Sequence, residues 1–112
     1  MRFFQKCSCI LAVFLSTCNS IEQIDASKTI IFNGTLYKID KDEPFTGVVY
    51  NNYPSGQKEY EGLYRLGKPN GQLVYWYENG SIMKKGNIKN GLQTGRWTYF
   101  NENGTVKKII DY

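Results

Sequence analysis

Glycine recurs in this chain at a fixed interval. Gly47, Gly71 and Gly95 stand 24 residues apart, as do Gly56, Gly80 and Gly104, the pair Gly62 and Gly86, and the pair Gly67 and Gly91. Ten of the 11 glycines fall on this lattice, which leaves chance no serious role. A period of this length marks stacked supersecondary units, each burying its apolar face against the next. In register the units open GVVYNNYPSGQ, GQLVYWYENGS and GRWTYFNENGT.

Each opening segment is rich in Tyr, Trp, Val and Phe, the residues of a pleated, half-buried surface, and closes on Ser55-Gly56, Asn79-Gly80 or Asn103-Gly104. Asn-Gly supplies the positive φ angles of a two-residue hairpin turn, so Gly56, Gly80, Gly104, Asn79 and Asn103 are expected at tight turns. A second segment follows, with Gly62 or Gly86 at its middle, where a bulge or a close backbone approach is expected. Asn70-Gly71 and Asn90-Gly91 mark the connections, with Gly67 and Gly91 expected in longer loops. Ahead of the repeats, residues 28–32 and 35–39 flank Asn33-Gly34 and read as a leading hairpin. The expected fold is all-β: a single-layer antiparallel meander of about eight strands, with the leading hairpin over 28–43 and three repeats over 44–112, the last truncated. No helical pattern follows residue 18.

These units resemble MORN-variant repeats of the kind found in the bacterial YwqK-family antitoxin group. The resemblance rests on Pro44-Phe45-Thr46-Gly47, on Tyr77-Glu78-Asn79-Gly80 and Asn101-Glu102-Asn103-Gly104, on Lys89-Asn90-Gly91 with Gly95-Arg96-Trp97, and on the leading Asn33-Gly34-Thr35-Leu36-Tyr37. It spans residues 33–112. It implies a repeat sheet, and a role in binding or spacing.

The first residues read as an address. Arg2 and Lys6 precede an apolar run from Cys7 to Leu15 that only Ser8 interrupts, the layout of a signal peptide over residues 1–17. Nine residues fall short of the about 20 that a spanning helix needs. Leu15-Ser16-Thr17-Cys18 resembles a bacterial lipobox, which implies lipidation of Cys18, with Thr17 a departure from the small residue usual there. Residues 18–27 would then be the acylated cysteine and a tether, and the protein a membrane-anchored lipoprotein of a bacterial cell envelope. Buried acyl methylenes contribute roughly 0.8 kcal/mol each, enough for a multiply acylated cysteine to hold the protein on a membrane.

The chain has no histidine, and its three cysteines, Cys7, Cys9 and Cys18, all lie in that first segment. His-dependent triads, cysteine nucleophiles and nearly every zinc site are therefore excluded from the repeats. Glu78 and Glu102 occupy equivalent places beside turns and do not form a catalytic pair, and Glu59 and Glu61 form no cleft with them. No enzyme activity, cofactor or metal is expected. Asn33-Gly34-Thr35, Asn79-Gly80-Ser81 and Asn103-Gly104-Thr105 match the glycosylation sequon, a match that the turns themselves demand.

Strand parity divides the aromatic residues. Val49, Leu73 and Trp97 share a face with Tyr53, Tyr75, Tyr77 and Tyr99, the better core. Val48, Tyr50, Val74, Trp76 and Phe100 point the other way, and Tyr50, Trp76, Arg96 and Phe100 form the candidate binding face. Charge is uneven too: between Lys84 and Lys108 six bases meet the single acid Glu102, whereas residues 19–61 carry four bases and seven acids. The basic end suits an anionic membrane surface or an acidic partner. Nucleic acid is not an expected ligand. The function expected is a cell-envelope lipoprotein acting as a repeat-based protein or surface interaction module, with the membrane and a protein of unknown identity as partners. The alternative is an intracellular antitoxin-type protein that neutralises a partner toxin.

Overall fold

The computed structural model describes residues 20–112; the signal-peptide and Cys18 expectations lie outside them. Nine strands run β1 (Gln23–Asp25), β2 (Thr29–Phe32), β3 (Thr35–Lys38), β4 (Gly47–Asn52), β5 (Lys58–Arg65), β6 (Lys68–Trp76), β7 (Ile82–Lys89), β8 (Leu92–Phe100) and β9 (Val106–Asp111). From β4 to β9 every neighbour pairs antiparallel, as the repeat predicts.

Two features depart from expectation at the N-terminal end. Residues 23–28 are not tether. Gln23–Asp25 adds to β4 as a parallel strand, and a 3₁₀ turn over Ala26–Lys28 follows, with the Asp25 carboxylate accepting from Ser27 N at 2.9 Å. Half-buried Ile24 and Ala26 pack on the core there, which holds the strand in place. The leading hairpin, β2 with β3, is a separate two-stranded sheet outside the meander. Leu36 and Phe45 lie over Val49, flanked by Tyr60 and Tyr64, so a second layer covers this end of one face.

The turns also exchange character. At 53–57, 77–81 and 101–105 the first residue's N–H donates to the fifth residue's carbonyl at 2.8 Å, and the glycine N–H donates back to the first residue's carbonyl. Each is a three-residue loop closed by a left-handed glycine, with φ of 94°, 93° and 89° at Gly56, Gly80 and Gly104. Asn79 and Asn103 do not take positive φ. Their side-chain oxygens accept from the backbone and hydroxyl of Ser81 and Thr105, between 2.7 and 3.0 Å, so the hydroxyl residue of these two sequon matches serves the loop. The true two-residue turns are Asn33-Gly34, Leu66-Gly67 and Asn90-Gly91, where both residues have positive φ. Gly67 and Gly91, expected in longer loops, are therefore in the tightest ones.

The meander gives the sheet two unlike rims. One carries the three-residue loops and the acids Glu78 and Glu102. The other carries the two-residue turns.

Candidate interaction surfaces

Cross-strand register assembles the first face row by row. One row reads Val49, Gly62, Leu73, Gly86, Trp97, Ile110, so a large side chain from each repeat's first strand alternates with a glycine or, at the end, isoleucine from its second. Gly86 meets Trp97 across a bulge between Lys85 and Asn87. A Cβ on Gly86 would overlap the Trp97 indole, and one on Gly62 would overlap the Tyr60 hydroxyl. Both readings of these glycines hold: each sits beside a register shift and under a ring. Trp97 is 2% exposed, with its Nε1 donating to the Asn87 carbonyl at 3.0 Å and the Tyr112 ring edge-on at 6.5 Å.

The adjacent row reads Asn51, Tyr60, Tyr75, Lys84, Tyr99, Lys108. The Tyr60 and Tyr75 rings lie 4.9 Å apart; the Lys84 ammonium lies 4.6 Å from the Tyr75 centroid and that of Lys108 lies 4.9 Å from Tyr99. Burial pushes the Tyr60 phenol far above its ordinary value, reinforced by its hydrogen bond to Tyr64, and burial raises Tyr75 as well. Tyr99 goes the other way: hydrogen bonds from Tyr112 and Gln93, then the charges of Lys84 and Lys108, favour its anion. Beside Tyr60 a shallow depression of about 580 Å³ opens between Tyr64, Tyr75, Glu59, Asn51 and the 3₁₀ turn. The expected core face is thus dry only along its glycine row. The tyrosine–lysine row was not anticipated as a unit, because strand parity was followed only along each repeat's first strand, whereas Lys84 and Lys108 come from the second.

On the opposite face Tyr50, Trp76 and Phe100 lie as parity predicts, each half-buried, with no second layer among the described residues. Lys58 stands between the Tyr50 and Trp76 rings, 5.9 and 5.8 Å from their centroids, and is held by Glu61 at 3.0 Å. Lys85 stands 5.9 Å from Phe100. Ile82 pairs with Trp76 and Val106 with Phe100, which extends the aromatic band across the sheet to half-exposed Val106. Arg96 does not join it. It lies four residues before Phe100 on β8, about 13 Å along an extended strand, and its Nε donates to Asp111 at 3.0 Å on the two-residue-turn side.

Neighbouring repeats are also tied at the loops. Tyr53 donates to the Trp76 carbonyl at 2.6 Å and Tyr77 to the Phe100 carbonyl at 2.7 Å, one bond repeated after 24 residues. Asn79 Nδ2 donates to the Glu102 carbonyl at 3.1 Å, and the single Ser81 hydroxyl hydrogen is shared between that carbonyl at 2.9 Å and the Asn79 oxygen. The loop residues therefore lock the stack rather than offering free donors. No three metal-ligating side chains converge among the described residues, and no helix there is long and apolar enough to cross a membrane.

Comparison with known proteins agrees with this architecture. No curated protein and no solved structure gave a significant match. A family model for the MORN repeat variant matches three times, over residues 45–65, 69–90 and 93–112, with starts 24 residues apart and more than half of the chain covered. On the matched repeats and the sheet they build, the chain belongs to the MORN repeat variant family.

Proposed function

We propose that this chain is a lipoprotein of the bacterial cell envelope, anchored through Cys18, whose repeat sheet is an interaction module that binds a partner protein on the face of Tyr50, Trp76 and Phe100. The observation that carries the binding role is that face itself: three half-buried aromatic residues with lysines laid against their rings, on a sheet with no layer above it among the described residues. Aromatic anchors ringed by charge are the composition of an interface core and its rim. The anchor is supported by Leu15-Ser16-Thr17-Cys18. Arg96, engaged by Asp111, is left out of the binding face.

Cross-linked capture of the tagged protein from cells tests the binding role. Trp76→Ala should lose the captured partner while the melting temperature stays within a few degrees, and an unchanged set of partners refutes the assignment. Feeding a labelled fatty acid tests the anchor: wild type should be marked and Cys18→Ala unmarked, and equal labelling removes the lipoprotein reading.

A further inference from the structure

The first repeat departs from the other two at one hairpin position. Tyr75 pairs across its hairpin with Lys84, and Tyr99 with Lys108. In each pair the lysine ammonium lies over the ring, 4.6 and 4.9 Å from the centroid. The residues 24 positions earlier, Asn51 and Tyr60, pair in the same way. The first repeat therefore has a ring where the others have the lysine, and Glu59 stands where they have Met83 and Lys107.

These exchanges meet in the shallow depression of about 580 Å³ beside Tyr60. Tyr60, Tyr64 and Tyr75 supply its aromatic wall: the Tyr60 and Tyr75 rings are inclined at 56°, and the Tyr60 hydroxyl donates to that of Tyr64 at 3.4 Å. Glu59 is half-buried at its side. Asn51 Nδ2 donates to Glu59 Oε1 at 2.7 Å, which fixes the carboxylate, while Oε2 has no protein partner among the described residues. No lysine or arginine lines the depression. Lys84 belongs to β7, on the side of β6 away from β5. Asp25 and Lys28, at the start and end of the 3₁₀ turn, offset one another, so Glu59 sets the sign of the local field.

We infer that this depression binds the alkylammonium group of a small amine, its charge against Glu59 Oε2 and its methylenes against the tyrosine rings. Aromatic rings attract a cation, and a half-buried carboxylate accepts a charge-assisted hydrogen bond from it. The pairs Lys84–Tyr75 and Lys108–Tyr99 are the same chemistry with the cation supplied by the chain itself. The site lies on the face opposite Trp76, so it stands apart from the partner-binding role proposed above.

Chemical-shift titration of the full chain in a polyoxyethylene detergent, which carries no amine, tests it. Butylammonium chloride is the probe, and sodium chloride at equal concentration is the reference. The Asn51 side-chain amide and the ring protons of Tyr60 and Tyr75 should shift along a saturable, millimolar curve, while the Trp76 indole should not respond. Glu59→Gln should weaken binding about tenfold with circular dichroism unchanged. Tyr60→Lys installs the repeat-equivalent residue, whose own ammonium fills the place, and should abolish binding; if that variant does not fold, Glu59→Gln alone decides. Equal shifts with butan-1-ol overturn the assignment, since a groove that ignores charge is only apolar. Unchanged affinity in Glu59→Gln overturns it as well, as do shifts that merely follow the sodium chloride reference. Saturable binding of glucose without any of butylammonium would make the groove a sugar platform and overturn it too.

Discussion

Gly86→Ala places one methyl group under Trp97, the largest fully buried side chain among the described residues. The ideal Cβ overlaps Cδ2, Cε2 and Cγ of Trp97, the rigid body of the indole rather than a flexible tip. The ring must lift, which strains its bond to Asn87 and its contact with Tyr112. Overpacking of this kind costs about 1–3 kcal/mol, and the upper half applies to a rigid neighbour. Weakening one part-buried hydrogen bond adds about 1 kcal/mol. The backbone of Gly86 lies outside the left-handed region, so alanine returns about 0.5–1 kcal/mol through the unfolded chain. The net is a loss of about 2–3 kcal/mol, or about 10–20 °C in melting temperature for a domain of this size. Thermal unfolding followed by near-ultraviolet circular dichroism reads both the midpoint and the indole environment. Gly62→Ala is the internal control: it meets only the end of the Tyr60 side chain and should cost about 1 kcal/mol. In a Trp97→Leu background the Gly86→Ala penalty should vanish, because the pair is coupled by contact. An equal penalty in both backgrounds, or a Gly86→Ala midpoint within 2 °C of wild type, refutes the close-approach account.

Leu66→Asn should raise stability by about 1 kcal/mol, since asparagine tolerates the left-handed conformation that leucine resists; denaturant unfolding checks this, and a loss would mean that the Leu66 side chain contributes to the fold. Alkaline titration of the phenols at 295 nm should find Tyr99 ionising below the ordinary tyrosine range and Tyr60 only as the chain unfolds. A phenol raised by folding contributes stability that is complete below the unfolded value, about pH 10, and is lost as pH rises beyond it. Tyr60→Phe should therefore flatten the alkaline decline, and Tyr99→Phe should remove the earliest absorbance step.

The strands from Gly47 onward were legible because a 24-residue period and strand alternation are both local patterns. The buried place of Trp97 followed from the same parity; a close approach at Gly86 was expected from glycine inside a strand, but not that Trp97 is the ring it meets. Turn type was not legible from Asn-Gly alone. That pair makes a two-residue turn when both residues are left-handed, as at Asn90-Gly91, and a three-residue loop when the asparagine only accepts hydrogen bonds, as at Asn79-Gly80. One residue of register separates the two, and the flanking strand pairing decides it. Leu66-Gly67 carries no such signal at all, so that two-residue turn stayed hidden among strand residues. The parallel strand Gln23–Asp25 is three residues long and held by partners 25 residues on, which no local pattern reports.

One repeat position explains why the two ends of the first face differ. Side chains at residues 49, 73 and 97 stand two strands apart, about 9.6 Å, with glycine between them in the gaps across β5 and β7. A gap of that width must be filled by a side chain laid flat or by a second layer. The position grows from valine to leucine to tryptophan along the chain. At the large end the Trp97 indole lies over Gly86 and buries itself, so no further layer is required. At the small end Val49 is too short to span, and Leu36 from the leading hairpin, with Phe45 at the start of the first repeat, supplies the missing volume. That size gradient sets where the leading hairpin docks, and the docking brings Asn33-Gly34 onto the rim beside Lys68. The leading turn therefore owes its place on that rim to a valine on the first repeat strand. Val49→Trp should expel Leu36 from its pocket and release the leading turn from that rim; retention of the Leu36 N to Gly67 O bond, read by amide exchange at Leu36, would show that the hairpin docks for another reason.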